Sequence, residues 1–350
     1  MTSRSVRQVA RAPKTTPRYV RILAALLTVI ALAVVAVAAS SLLAARKLMG
    51  APKKALGSYS STIMPPFSLA GFRSLDGQTQ LVGWLFQPES ESHGTVVMVH
   101  AAGANRLQFD ADTLMLYDFF IKRGYGVLSF DLSHAGESDG EFTTYGYNEW
   151  EDVIAALDYA WRNSVSDHLL LFGWGTGCAA SLLAVNHIPV PGVDRQTILP
   201  GDDSERARML RELPFDRDDI KAVMLDGVAA SPDAYIRAGL TDSAIDRILM
   251  RKTVPVAVRL SSRSEGKTSL IPILSQVQWP VYLVGTEGPD ATSGPGVEVL
   301  LEERMRLHPD STMHFPAEGS GFLESFPDDP DTYLARLSDF FRRFLDPEAS

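Results

Sequence analysis

The residues Gly173-Trp174-Gly175-Thr176-Gly177 stand between a short apolar run, Leu169 to Phe172, and a small-residue helix pattern containing Cys178, Ala179, Ala180, Leu182, Leu183 and Ala184. A strand, a tight turn and a helix in that order put one side chain at the tip of the turn, beside the backbone N–H groups of the helix start. Acyl transfer exploits such a tip when it carries a hydroxyl, with an imidazole to take the proton and a carboxylate to orient the imidazole. Here the tip is Gly175. Shifting the register does not supply a nucleophile. Thr176 at the tip would put bulky Trp174 where a small residue must pass, and Cys178 would start the helix too late. The seven histidines, at 93, 100, 134, 168, 187, 308 and 314, leave none after the final strand pattern, Thr312 to Phe315. His100 reads as a buried packing and hydrogen-bonding residue, His134 as a structural residue with the pocket mouth as the alternative, and His308 as a solvated helix end. Carboxylates are available at Glu287 and Asp290, after the apolar run Val281 to Val284.

The elements that must position these residues follow from periodicity. Phe67 to Arg73 and Gln80 to Gln87 are strand-like and flank Asp76-Gly77, a hairpin signal. Apolar runs then alternate with helical patterns: strand 95–101, helix 110–122, strand 126–132, helix 148–162, the central strand and helix, and strand 220–225. Strand 281–284, helix 297–307, strand 312–315 and an amphipathic helix over about 330–345 complete the alternation. A hairpin followed by such alternation predicts a mostly parallel twisted sheet with helices on both faces. Residues 188–219 read as an excursion over the sheet edge. Residues 231–278, with Pro232, Pro255 and Pro272, read as an insertion that caps the domain.

Residues 1–21 form a basic tail, and residues 22–45 lack any charge. At about 1.5 Å per residue these 24 residues reach about 36 Å, enough to cross a hydrocarbon core of about 30 Å, so they are expected to form a single transmembrane helix. A cleaved signal peptide is the competing reading, but its apolar region usually runs only about 7–15 residues. Six basic residues precede the span and four follow it, which favours a domain outside the cytoplasm. Residues 46–66 read as a linker and 67–346 as the folded domain. Ten of the 33 basic residues precede Ala55 and none of the 42 acidic residues does, so the remainder sets 23 basic against 42 acidic residues. That balance argues against a nucleic-acid partner. The single cysteine rules out an intramolecular disulfide and a Cys-rich metal site. Neither a metal nor a cofactor is expected.

The turn resembles the nucleophile elbow, G-x-S-x-G, of the α/β-hydrolase superfamily, with glycine where that family has serine. Four other stretches resemble the family in matching order. Val99 to Arg106 resembles the loop that supplies an oxyanion-hole N–H, with Ala101 in place of glycine. Phe130 to Ser138 resembles the D-x-R-G-x-G-x-S segment without its arginine. Trp279 to Gly285 resembles the strand before the catalytic acid, and Phe315 to Gly321 the loop that bears the catalytic histidine. The resemblance implies an α/β-hydrolase fold preceded by one transmembrane helix. It also implies a degenerate triad at Gly175, Asp290 and Ser320, an oxyanion-hole-like backbone at Ala101, Ala102 and Thr176, and a pocket near His100, His134 and Trp174. A serine in that turn carries backbone strain of about 1–3 kcal/mol, which glycine relieves. Two readings follow. In one, the chain is a non-catalytic, membrane-anchored protein that binds a small acyl or carboxylate ligand or a protein partner. In the other, it is an esterase or acyl hydrolase with displaced catalytic groups.

Overall fold

The structure, a computed structural model, describes residues 17–57, 64–89, 91–240, 249–264, 266–285 and 296–346. Eight strands form one sheet: β1 (Ser68–Arg73), β2 (Gln80–Phe86), β3 (Gly94–Val99), β4 (Tyr125–Phe130), β5 (Leu169–Trp174), β6 (Ile220–Asp226), β7 (Val281–Val284) and β8 (Thr312–Phe315). Their order is β1-β2-β4-β3-β5-β6-β7-β8. Strand β2 runs antiparallel to β1 and β4, and every other pairing is parallel. At the predicted hairpin, the Asp76 carboxylate accepts hydrogen bonds from the Gln78 and Thr79 amides, each at 2.8 Å.

The central strands are buried along their whole length because helices cover both faces. Alternate side chains divide between two cores. Val97, Leu128, Leu171, Val223 and Leu283 pack with α3 (Trp150–Asn163), α4 (Thr176–His187), and α8 (Ile271–Gln276). Val96, Met98, Phe172, Met224 and Tyr282 pack with α2 (Thr113–Ile121) and α11 (Pro330–Phe344). Three further helices are α5 (Glu205–Arg211), α9 (Glu298–Leu307) and α10 (Ser325–Asp328).

Helix α1 (Arg18–Met49) is the single described helix long and apolar enough to cross a membrane, and its most apolar window is unburied. It continues four residues beyond the predicted end of the span, because its last turns pack against the domain. Ser41, Ala45 and Met49, spaced by four, face α7 (Arg251–Ser262), where Val254, Ala257 and Val258 form a small core with Ile236 and Tyr147. The Ser41 hydroxyl lies 2.7 Å from that of Thr253. The 231–278 insertion is described except at residues 241–248 and 265. Its α6 (Pro232–Ala238) and α8 join the helical layers, its α7 grips α1, and none of its described residues lines the cavity beside Gly175.

The full-length chain should stay with membranes through a carbonate wash, and a form beginning at Ser40 should be soluble. A form beginning at Ala55 loses Ala45 and Met49 from the core, and burying a Met side chain contributes about 1.5–3 kcal/mol. Its unfolding midpoint should fall by several degrees, at about 2–4 °C per kcal/mol for a domain of this size. Release of the full-length chain by salt alone, or equal midpoints for the two shorter forms, would contradict this arrangement.

Candidate functional site

Strand β5 ends at Trp174 and α4 begins at Thr176, so Gly175 turns the chain alone. Its φ of 51° and ψ of −118° lie where glycine carries no Cβ penalty. The Gly175 amide donates to the Asp226 carbonyl at 2.9 Å, and its carbonyl accepts from the Cys178 amide at 3.0 Å. The turn is also pressed onto β3: a Cβ at Gly177 would stand 2.1 Å from the Val99 carbonyl oxygen.

The space above the tip is occupied. A Cβ at Gly175 would lie 3.2 Å from Ala101 Cβ, 3.3 Å from Leu323 Cδ1 and 3.4 Å from Phe322 Cζ. Gly227, just past β6 with a φ of 69°, meets the same pair, since a Cβ there would lie 2.6 Å from Phe322 Cε2 and 2.8 Å from Leu323 Cδ2. Phe322 and Leu323 thus sit in a saddle of two glycines. Leu323 (φ 61°) and Ala317 (φ 50°), both in the connection after β8, hold left-handed backbone that costs non-glycine residues about 1–3 kcal/mol each. Such conformations persist where the surrounding packing over-determines them.

The two β3-loop amides expected to form an oxyanion hole are bonded within the chain. Ala101 N–H donates to Gln108 Oε1 at 2.8 Å, and Ala102 N–H donates to Thr176 Oγ1 at 2.6 Å. The side chains of Gln108 and Thr176 thus satisfy both amides. His100 is buried, with Nδ1 2.8 Å from the Ala101 carbonyl and Nε2 accepting from the Leu132 amide at 2.9 Å. Burial pushes its imidazole below the usual value, against the pull of Asp131. His134 points at the linker, with Nε2 2.9 Å from the Ala51 carbonyl and Nδ1 3.3 Å from that of Gly140. Trp174, expected near the pocket, lies in the core below the turn, stacked on Phe172 with ring centroids 4.1 Å apart. Ser320 is half-buried in the connection after β8, its amide 3.2 Å from the Ala317 carbonyl. Glu287 and Asp290 lie outside the described residues. Cys178 is fully buried, and burial pushes its thiol well above the ordinary range, which disfavours the thiolate.

Three features escaped the sequence. The segment at Asp131 lacks an arginine, yet a guanidinium reaches it from the β3 loop: Arg106 Nη2 stands 2.6 Å from Asp131 Oδ2, with both side chains buried. The Arg106 and Glu137 amides donate to the same carboxylate at 2.7 and 2.8 Å. Burial pushes Asp131 up, but Arg106 prevails and holds it below the usual carboxylate range. Gly136 permits this approach, since a Cβ there would lie 2.1 Å from Asp131 Oδ2. The second feature is Asp226, at the end of the run predicted as strand 220–225. Its carbonyl holds the Gly175 amide and its carboxylate accepts from Tyr333 Oη at 2.9 Å, tying the turn to α11. Burial raises its pKa to about 7, partly offset by the Tyr333 and Ser325 hydroxyls. The third is the Phe322–Leu323 pair, which no local signal in the sequence marks.

Beside the turn is a cavity of about 90 Å³ lined by His100, Ala102, Gly103, Leu132, His134 and Thr176, with Ala51 to Lys54 along its rim. Among the described residues, no group of three or more His, Cys, Asp or Glu side chains converges as metal ligands do.

No family model matches the chain, and no curated protein matches it in sequence. Solved structures do match in shape. An esterase of Pyrococcus furiosus superposes with a TM-score of 0.60 at 16% identity, covering 84% of this chain and 98% of the esterase. A second crystal form of that esterase gives 0.58 at 16% identity, covering 85% and 98%. DcsB in complex with its substrate analogue gives 0.51 at 14% identity, covering 80% and 100%.

The raised pKa of Asp226 has a defined sign in stability. The folded chain keeps this proton up to about pH 7, while an unfolded aspartate releases it near pH 3.9. The stability this group contributes is therefore fully present at low pH and is lost as pH rises through that window, by up to about 1.4 kcal/mol per pH unit for each such proton. Asp152, buried and likewise raised to about 7, adds in the same direction. Asp226→Asn should flatten part of the decline, and urea midpoints at pH 4.5 and 7.5 check it. An unchanged slope would mean that Asp226 is ionised in the folded chain.

Proposed function

With an α/β-hydrolase fold as the frame, we propose that this chain is a membrane-anchored binding protein whose elbow has lost its catalytic groups. The observation that carries this reading is Gly175 at the tip of the elbow with Phe322 and Leu323 packed against it. A reacting acyl carbon needs that volume, about 3 Å from both nucleophile and oxyanion donors. The internal bonds of the Ala101 and Ala102 amides support the same reading, because two of the three expected donors are already engaged within the chain. In this assignment Gly175, Asp290 and Ser320 are the degenerate triad positions. A hydrolase with displaced groups would draw its base from His134, whose ring nitrogens instead face the Gly140 and Ala51 carbonyls.

The ligand seat is the cavity beside Thr176. At about 90 Å³ it holds the volume of about three waters, which suits a small carboxylate or the head of an acyl ligand. Helix α1 anchors the domain at the bilayer, outside the cytoplasm, and the protein needs no metal or cofactor.

Serine-directed fluorophosphonate labelling tests the assignment together with two substitutions. The parent should not label. Gly175→Ser should lower stability by about 1–3 kcal/mol, because it places a Cβ at φ 51° against Ala101, Leu323 and Phe322. It should not label either, since the hydroxyl has no imidazole to activate it. Gly175→Ser combined with Ser320→His is the first variant able to acylate, and only slowly. Labelling of the parent, or a fully stable Gly175→Ser that labels alone, would sink the reading.

A further inference from the structure

We infer that residues 51–57 are a strap that closes the cavity beside the elbow, held in place by contacts that the anchor-proximal chain makes with the domain. The inference concerns access to the cavity and holds whatever chemistry the cavity serves. Helix α1 ends at Met49, whose carbonyl accepts from the Thr143 amide at 2.9 Å, and Tyr145 Oη lies 3.4 Å from the Leu48 carbonyl. Past Gly50 the chain takes no regular secondary structure, and Ala51 to Lys54 line the cavity.

The domain grips this segment largely through its backbone. His134 Nε2 is 2.9 Å from the Ala51 carbonyl, and Asn105 Nδ2 donates to the Lys54 and Ala55 carbonyls at 3.3 and 3.2 Å. Two cations add to the grip. Lys53 Nζ donates to the Ser138 carbonyl, and Lys54 Nζ pairs with Asp110 at 2.7 Å. Leu56 then packs on the edge of the core that α2 and α11 share. His134, Asn105 and Ser138 belong to loops that also frame the elbow, so the strap bridges both walls of the site.

A segment tied down by side chain to backbone bonds, exposed cations and one leucine has the composition of a unit that opens locally while the sheet stays folded. Its covalent link to α1 is the single residue Gly50. The ring of His134 thus serves as a latch on this chain's own backbone.

The test uses the full chain in detergent micelles with Ala104→Cys, a buried position on the cavity wall. The rate of alkylation by iodoacetamide reports opening, and the same chain without this substitution controls for buried Cys178. Lys54→Glu sets two carboxylates face to face, and Lys53→Ala with Lys54→Glu removes the second cation as well. Both should alkylate faster by about tenfold or more, with the thermal midpoint of the domain retained. Exchanging the pair, Lys54→Glu with Asp110→Lys, should bring the rate back to within about threefold of the parent. Parent-like rates in both strap variants would overturn the inference, as would an exchanged pair as fast as Lys54→Glu alone.

Discussion

Two glycines with left-handed φ, Gly175 and Gly227, form the saddle in which Phe322 and Leu323 rest, and the business end of the sheet takes its shape from that contact. Without a Cβ at either position, the connection after β8 can close down onto the ends of β5 and β6. The strained backbone of Leu323 and Ala317 is the cost of that closure. The side chains of Phe322 and Leu323 thereby occupy the volume above Gly175. Asp226 completes the arrangement from below, with its carbonyl on the Gly175 amide and its carboxylate on Tyr333.

The polar framework around the cavity is spent on holding loops. Arg106 and Asp131 form a buried pair that also fixes Glu137 and, through the Asp131 carbonyl, the Ser138 hydroxyl. Such a pair gains its value from complete hydrogen bonding, since either charge alone would be costly where it lies. Ser133 turns to Asp152, with its amide and hydroxyl at 2.8 and 2.9 Å from the carboxylate. Together these contacts shape the wall that receives the strap. Helix α7 packs against the last turns of α1, from which the strap leads to this wall.

The central strands were legible because each is an apolar run of the length that a sheet buried on both faces requires; β7 and β8 fall on the predicted residues. The elbow was legible because its signal is local, three glycines between a strand and a helix. What the sequence hid is long-range. Residues 231–278 show amphipathic helices, but their pattern does not say which surface they cover, and α7 found its partner in α1, some 200 residues away. Phe322 and Leu323 follow a glycine in an irregular connection, and an apolar pair there reads the same packed or exposed. Arg106 supplies a charge that the segment at Asp131 lacks, from a different loop. The amides of Ala101 and Ala102 looked free because backbone donors show no partners in a sequence.

The most direct test of a filled and disarmed elbow is turnover of short p-nitrophenyl esters by the purified full-length chain in micelles. A bare scaffold without nucleophile or base gives at most about 10³–10⁴ over water, near background in this assay. The account predicts that level, unchanged by substitution of His134 or Asp290. Robust turnover that disappears when either residue is replaced would contradict it.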